Sequence, residues 1–330
     1  MPTIQLSKSN FFYNLDSIVK QSGSVEKVAL VLKDNAYGHG LCEVAKMAQE
    51  YGISRAVVRS FDEAKEIEKY FEYILVLADI PDTPSSKIRY TINDIKNISK
   101  FPKGTLVELK VNTAMNRNGI SMSEIEESIN AIKNQGLVLE ALFTHHSCAD
   151  EVDGNYELQK ENFEKIKKNA PKGIRFHSCN SAALFREENF REDMARVGIA
   201  AYGCLELPQE LGYVSQKPVL SLISKKLSSR LVQKGESVGY GATFIAKEEV
   251  VVSNYDFGYG DGFLRSCSNS YKTSQDVAIA GRISMDNSSF LSDLDSLEIF
   301  NDARVIAKSA GTISYEVLTS LKSYIKREII

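Results

Sequence analysis

A chain of 330 residues, 43% hydrophobic and 25% charged, carries enough apolar mass for about two globular domains. Its 40 basic and 43 acidic residues leave a net charge of −3 with no block of one sign, which argues against nucleic acid or an acidic membrane surface as a partner. The first residues lack a basic segment followed by an apolar one, and no stretch is long and apolar enough to span a bilayer, so the expected location is cytoplasmic.

From about residue 26 to 220, short apolar runs alternate with longer amphipathic stretches, the pattern of repeated strand and helix units around a parallel sheet. The predicted strands are VALVL before Lys33, RAVV near Val57, YILVL ending at Leu77, TLVELKV ending at Val111, LEALFTH ending at His145 and RFHSC around His177. Between them SFDEAKEIEKYF reads as a helix capped by Ser60, with Glu63 completing a capping box, and SMSEIEESINAIKNQG as a helix closed by Gly136. The five cysteines, Cys42, Cys148, Cys179, Cys204 and Cys267, are widely spaced and never form CxxC, so reduced thiols are expected rather than disulfides or a zinc site. No metal is expected.

After Pro218 the texture changes to β-like runs separated by glycine-containing turns: SLISKKLSSRLVQ, ESVGYGATFIA, EVVVSNYDFG and DVAIAGRISM. The terminal YEVLTSLKSYIKREII reads as a helix. Domains are therefore expected at 1–220 and 221–330, the second β-rich.

Polar residues collect where the predicted strands end: Lys33, Arg117 six residues past Val111, His145, and Asn180 with Ser181. In an eight-stranded βα barrel the site is built from such positions at the C-terminal rim. A single strand-end lysine means little, since most lysines are solvated.

VLKDNAYGHG closely resembles the cofactor-lysine segment of the alanine racemase family, and eight further segments resemble that family's motifs in the same order. They are VNTAMNRNGI, LFTHHSCADE, HSCNSAALFRE, MARVGIAAYG, VGYGATF, FGYGDGFLR, GRISMD and GTISYEV. The resemblance implies an eight-stranded, TIM-type α/β barrel joined to a mostly β domain. The first few residues are expected to pair with that second domain. It also implies a homodimer with shared active sites, pyridoxal phosphate as cofactor, and racemisation of alanine leading to D-alanine.

The resemblance implies a role for each matching residue. Lys33 holds the cofactor through its amine and serves as one base; Tyr240, supplied across the dimer interface, serves as the other. Arg196 faces the pyridine nitrogen, and because a guanidinium keeps its proton, that nitrogen stays an acceptor and the electron sink is restrained. Taken alone, Arg196 would be read as a surface ion pair with Glu192 or Asp193. His145 lies beside the ring, whereas His146 has no implied role. The phosphate falls to Tyr37, Ser181, the backbone of Gly198 and Ile199, and Tyr315, with Asn180 supporting the loop.

Arg117 and the Met285 backbone are implied for the substrate carboxylate, Tyr259 and Tyr315 for the entrance and side-chain pocket, and Lys110 for carbamylation, which would hold Arg117 by charge pairing. Asn112, Ala114, Asp34 and Ser284 depart from the family pattern, where aspartate, glycine, a small residue and cysteine are usual. The Asp256-Phe257-Gly258 tripeptide mimics a kinase motif, but its companion motifs are absent. Two rival readings remain: a racemase for serine, lysine or a broader range, and a non-catalytic pyridoxal-phosphate carrier, against which the second domain counts.

Overall fold

Val28–Val31 and Tyr73–Val76 are buried at every position. Strands covered on both faces read as unbroken apolar runs rather than alternating ones. In the computed structural model, which describes residues 1–330, the chain begins with β1 (Thr3–Leu6) and then lays down eight parallel strands. These are β2 (Val28–Val31), β3 (Arg55–Val58), β4 (Tyr73–Val76), β5 (Ile88–Ile92), β6 (Leu106–Lys110), β7 (Val138–Phe143), β8 (Arg175–His177) and β9 (Ala195–Val197).

Their order is β8-β7-β6-β5-β4-β3-β2-β9. The two ends meet: the Asp193 amide donates to Phe176 O at 3.1 Å and the Arg196 amide to Cys179 O at 2.9 Å. The sheet closes as a barrel, so no strand edge is left open.

Helices follow most of the strands, although none separates β4 from β5 and only the short 3-10 segment Ile95–Lys100 lies between β5 and β6. The two barrel segments expected to be helical are so, with one local difference. Ser60 caps the helix Phe61–Ile67, its hydroxyl accepting from the Glu63 amide at 3.3 Å. The reciprocal half of the expected capping box is missing, because the Glu63 carboxylate accepts from the amides of Asp34 and Arg59 instead. At Ser121, by contrast, a full capping box with Glu124 precedes the helix Ile125–Asn134.

The remaining strands are β10 (Leu220–Val232), β11 (Ser237–Val238), β12 (Phe244–Ile245), β13 (Val250–Tyr255), β14 (Ser288–Phe290), β15 (Ser296–Phe300) and β16 (Lys326–Ile329). A second sheet runs β14-β13-β10-β1-β16, with β15 also on β10. DVAIAGRISM contributes only isolated bridges, at Ala278 and Ile279, rather than the expected strand.

The C-terminal segment also differs from the single helix expected. It is helical only over Ser314–Ser320, and its last residues form β16, parallel to β1 from Thr3↔Lys326 to Leu6↔Ile329. The edge of β1 has amides and carbonyls to satisfy, and this tertiary demand outweighs the local helical preference of a lysine-rich segment. Ile4 and Leu6 are fully buried beneath that pairing, each contributing roughly 1.5–3 kcal/mol of apolar burial. The apolar core is continuous from the barrel into the second sheet, reaching Leu222, Leu297 and Leu318.

Candidate active site

β2 ends at Val31, and Lys33 opens an unusual turn. Asp34, Asn35, Ala36 and Tyr37 have φ of 54°, 56°, 52° and 51°, one left-handed helical turn made without glycine. Each such residue costs roughly 1–2 kcal/mol, least for Asp and Asn. The surroundings hold the turn in place. The Glu63 carboxylate accepts from the Asp34 and Arg59 amides, both at 2.7 Å. The Asn35 side chain accepts from the Leu41 amide at 2.8 Å, and Arg327 donates to Gly38 O at 2.9 Å. Strain of this kind persists only where neighbouring contacts over-determine it, and such places cluster at functional sites.

The turn delivers Lys33 and Tyr37 to one cavity of about 250 Å³ at the C-terminal ends of the barrel strands. The same cavity is lined by Lys110, Arg117, His145, Asn180, Ser181, Arg196, Gly198, Ile199 and Tyr315. Eleven residues singled out from strand ends and motifs, spread over nearly the whole sequence, thus share one space. Tyr240, Tyr259 and Met285 do not line it. They are exposed at 65%, 40% and 56%, on the second domain of the same chain.

One wall suits an anion. Asn180 caps the helix Ser181–Arg186, accepting from the Ala183 amide at 2.9 Å. The Ser181 hydroxyl accepts from the amides of Gly198 and Ala200 at 3.1 and 3.3 Å. At Gly198 a Cβ would lie 2.9 Å from Tyr37 Oη, so the backbone there approaches closer than any other residue permits. Tyr37 packs against Tyr202 and Tyr315, ring centroids 5.3 and 5.7 Å away. Burial, then Tyr315 and Asp34, push the Tyr37 phenol upward, so it stays a neutral hydroxyl.

The opposite wall is built around Arg196, which is buried and makes no ion pair with Glu192 or Asp193. Glu192 instead binds Ser178 and Lys167, and Asp193 the Phe176 amide. The Arg196 terminal nitrogens donate to Thr144 O at 2.7 Å, Ser178 O at 3.1 Å and His177 O at 3.2 Å. Nη1 also meets His177 Nδ1, and Nη2 lies 3.4 Å from His145 Nδ1. Every protein hydrogen bond of this side chain uses Nη1 or Nη2, leaving Nε–H uncommitted. Burial, followed by Arg196, holds His145 well below the usual imidazole range, so this ring is neutral at pH 7.

On the third side, burial, then Arg196, Arg117 and Lys33, pull the Lys110 ammonium down to about 8. Arg117 is exposed and has no protein hydrogen bond or ion pair. The turn before it is organised by Asn112, whose Oδ1 accepts from the Ala114 and Asn116 amides at 3.2 and 3.0 Å. Ala114 has φ 116°, a left-handed conformation that favours glycine. Lys33 Nζ sits 3.7 Å from Asp34 Oδ2, and Asp34 Oδ1 3.5 Å from Arg59. In the second domain the Met285 carbonyl accepts from the Gly260 amide at 2.7 Å and the Ser284 carbonyl from the Tyr259 amide at 3.0 Å; the Met285 amide itself has no partner.

Sequence reasoning passed over His177, Glu108 and Glu63. His177 was used only to mark a strand, and Glu108 lay inside a run read as sheet. The available signal was charge inside otherwise apolar strands: Glu108 and Lys110, and Arg175 and His177, are two residues apart and so share a face.

Together these features define a barrel enzyme in which a strand-end lysine, a cradle of hydroxyl and backbone groups and a buried arginine converge on a small polar cavity. The chain belongs to the alanine racemase family, a family of isomerases: its N-terminal-domain model matches residues 6–206 and its C-terminal-domain model residues 219–329. An alanine racemase of a Nitratiruptor species is 39% identical over 335 residues, covering 99% of each chain. One of Campylobacter curvus is 40% identical over 340 residues, covering all of both. Among solved structures, alanine racemase of Clostridium difficile 630 superposes with a TM-score of 0.87 at 26% identity, covering 100% of this chain and 95% of that one. The Bacillus anthracis alanine racemase with bound L-Ala-P gives 0.89 at 26% identity and the same coverage.

Proposed function

We propose that this chain interconverts L- and D-alanine with pyridoxal phosphate held on Lys33, as a homodimer in which each cavity is completed by Tyr240 of the partner subunit. The observation that carries this reading is the convergence of Lys33, Arg117, His145, Arg196 and the Ser181–Gly198 cradle on one cavity.

The residues present fit the cofactor. The missing Cβ at Gly198 lets the Tyr37 hydroxyl close against the cradle, so that hydroxyl, Ser181, the Ile199 backbone and Tyr315 on the same cavity would hold a phosphate group, while the uncommitted Nε–H of Arg196 suits a ring nitrogen that only accepts. When bound, the group supplies a conjugated sink for negative charge at the substrate α-carbon. Arg196 keeps its proton throughout and so limits that sink, and neutral His145 stands beside it.

Lys33 Nζ takes or returns the α-proton on one face, and the Tyr240 phenol does so on the other. Arg117 and the partner subunit's Met285 amide hold the substrate carboxylate. Lys110, drawn down to about 8, presents at mildly alkaline pH the neutral amine that carbamylation requires. The resulting negative charge would steady Arg117, which lacks any other anionic partner. Tyr315 and the partner subunit's Tyr259 narrow the entrance, which favours a small side chain over lysine.

The same proposal takes the barrel domain as 1–220 and the partner-facing domain as 221–330. No helix is long and apolar enough to cross a membrane; a cytoplasmic location is part of the proposal. Chiral chromatography over a panel of amino acids tests it: alanine should turn over fastest, and negligible alanine turnover overturns the substrate assignment. Borohydride should fix the cofactor onto Lys33, and a different modified lysine would defeat the central claim.

A further inference from the structure

The geometry points to Glu108 as a positioning residue that fixes the His177 tautomer and, through it, the orientation of Arg196 toward the cofactor ring. This rests on the function proposed above and concerns a residue that never touches the cavity.

Glu108 is fully buried in the barrel lumen, on the same face of β6 as Lys110 and one pleat repeat below it. Its Oε2 lies 2.8 Å from His177 Nε2. Its Oε1 accepts from the Tyr73 hydroxyl at 2.6 Å and from Arg175 at 3.0 Å. His177 is also fully buried and stacks on Phe143, ring centroids 4.7 Å apart at 14°. Its other nitrogen, Nδ1, meets Arg196 Nη1.

A guanidinium has only donors, so Nδ1 has to be the acceptor in that contact. The proton of neutral His177 therefore sits on Nε2, aimed at the carboxylate. A histidine protonated on both nitrogens would set two donors against each other at Arg196. Burial works against a charged Glu108, but the hydrogen bonds from His177 and Tyr73 and the Arg175 guanidinium beside it hold the carboxyl below the usual carboxylate range, so it is an ionised acceptor at neutral pH, where burial keeps His177 itself uncharged. An ionised carboxylate can only accept, and that restriction dictates the tautomer. A neutral glutamine amide can both donate and accept, which removes the restriction. With Nδ1 protonated, Arg196 would lose an acceptor and its guanidinium would be repelled from its seat.

The alternative is that Glu108 only braces Arg175 at the floor of the barrel. Glu140 already does so, accepting from Arg175 at 2.9 Å and from Arg89 at 2.8 Å, without touching His177. Glu140→Gln is therefore the matched control for a structural role.

The decisive measurement is ring-nitrogen NMR of the holoenzyme, which has only four histidines to assign. In the wild type His177 should be protonated at Nε2 alone between pH 6 and 9. Glu108→Gln should abolish that single tautomer, shift the absorbance maximum of bound pyridoxal phosphate, and lower kcat roughly ten- to hundredfold with a smaller change in KM, by analogy with the loss when a carboxylate behind a metal-bound imidazole is removed. Glu108→Asp should restore part of each effect, and Glu140→Gln should leave tautomer and absorbance at wild-type values. A wild-type His177 protonated at Nδ1 overturns the inference. So does a Glu108→Gln enzyme with unchanged tautomer and absorbance, whatever its melting temperature. If Glu108→Gln does not fold, the wild-type tautomer decides alone. A wild type that binds no pyridoxal phosphate refutes the proposed function instead, and the tautomer remains measurable in that protein.

Discussion

Gly198→Ala puts one methyl group where the cavity is tightest. The added Cβ would stand 2.9 Å from Tyr37 Oη, 3.1 Å from Cζ and 3.2 Å from Cε2, inside ordinary contact distance for all three. Tyr37 has little freedom to retreat, because its ring is wedged between Tyr202 and Tyr315 and its backbone is locked in the left-handed turn. Gly198 itself does not adopt a positive φ, so the penalty is steric rather than conformational. Overpacking of this size costs about 1–3 kcal/mol. If Tyr37 swings its hydroxyl away from the cradle, the cost falls on cofactor affinity, and at 1.4 kcal/mol per tenfold this weakens binding roughly 5- to 150-fold. The assay is absorbance titration of cofactor-free protein with pyridoxal phosphate, with a thermal melt of the same sample to catch strain that stays in the fold. Adding Tyr37→Phe removes the nearest clashing atom and should recover part of the loss, a coupling readable as a double-mutant cycle. An affinity and a melt both unchanged in Gly198→Ala would refute the close-approach reading.

Tyr240→Phe should slow α-proton exchange with solvent from one enantiomer of alanine far more than from the other, measured by deuterium incorporation; equal slowing removes Tyr240 as a one-face base. For Lys110 the sign follows from proton binding. Its ammonium is drawn from an ordinary 10.5 to about 8 in the fold, so between pH 8 and 10.5 the unfolded chain binds more protons and this residue's contribution to stability rises with pH. Lys110→Met should therefore gain stability over wild type at pH 7 in carbonate-free buffer and lose that advantage by pH 10.5, as read by urea unfolding; a pH-independent difference contradicts the assigned burial. Glu63→Ala releases the Asp34 and Arg59 amides together and should cost roughly 1–3 kcal/mol, with weaker cofactor retention as the Lys33 turn loosens; an unchanged melt and unchanged retention would leave that turn held by its other contacts.

The barrel was legible because parallel strands covered on both faces are long apolar runs, and the cavity because site residues in such barrels follow strand ends. Arg117 illustrates the limit: the motif named it, but only the structure shows that Asn112 shapes its turn and that Ala114 takes a conformation better suited to glycine. Glu63 escaped because a capping position explained it locally, whereas its carboxylate satisfies two amides on a different loop. β16 escaped for a similar reason, since its partner lies more than three hundred residues earlier in the chain. Glu108 and His177 escaped because charge within a strand reads as an interruption until the barrel closes and gives it a lumen to occupy.

Every group assigned to the ring and phosphate lies on one chain, whereas Tyr240, Tyr259 and Met285 stand exposed on that chain, away from its own cavity. In the proposed dimer that division separates cofactor binding from turnover. Diluting the holoenzyme until sedimentation shows single chains should leave the bound-cofactor absorbance in place, because Lys33, Arg196 and the Gly198 cradle need no partner. On the proposed dimer, racemisation per chain should fall toward zero over the same range, because the proposed second base and half of the proposed carboxylate grip would leave with the partner. The three exposed side chains should become less accessible as dimers re-form, which oxidation of Met285 reports directly. Constant turnover per chain across the dissociation would show that a single subunit carries both bases, and Tyr240 would then have to be replaced by a residue lining the cavity itself.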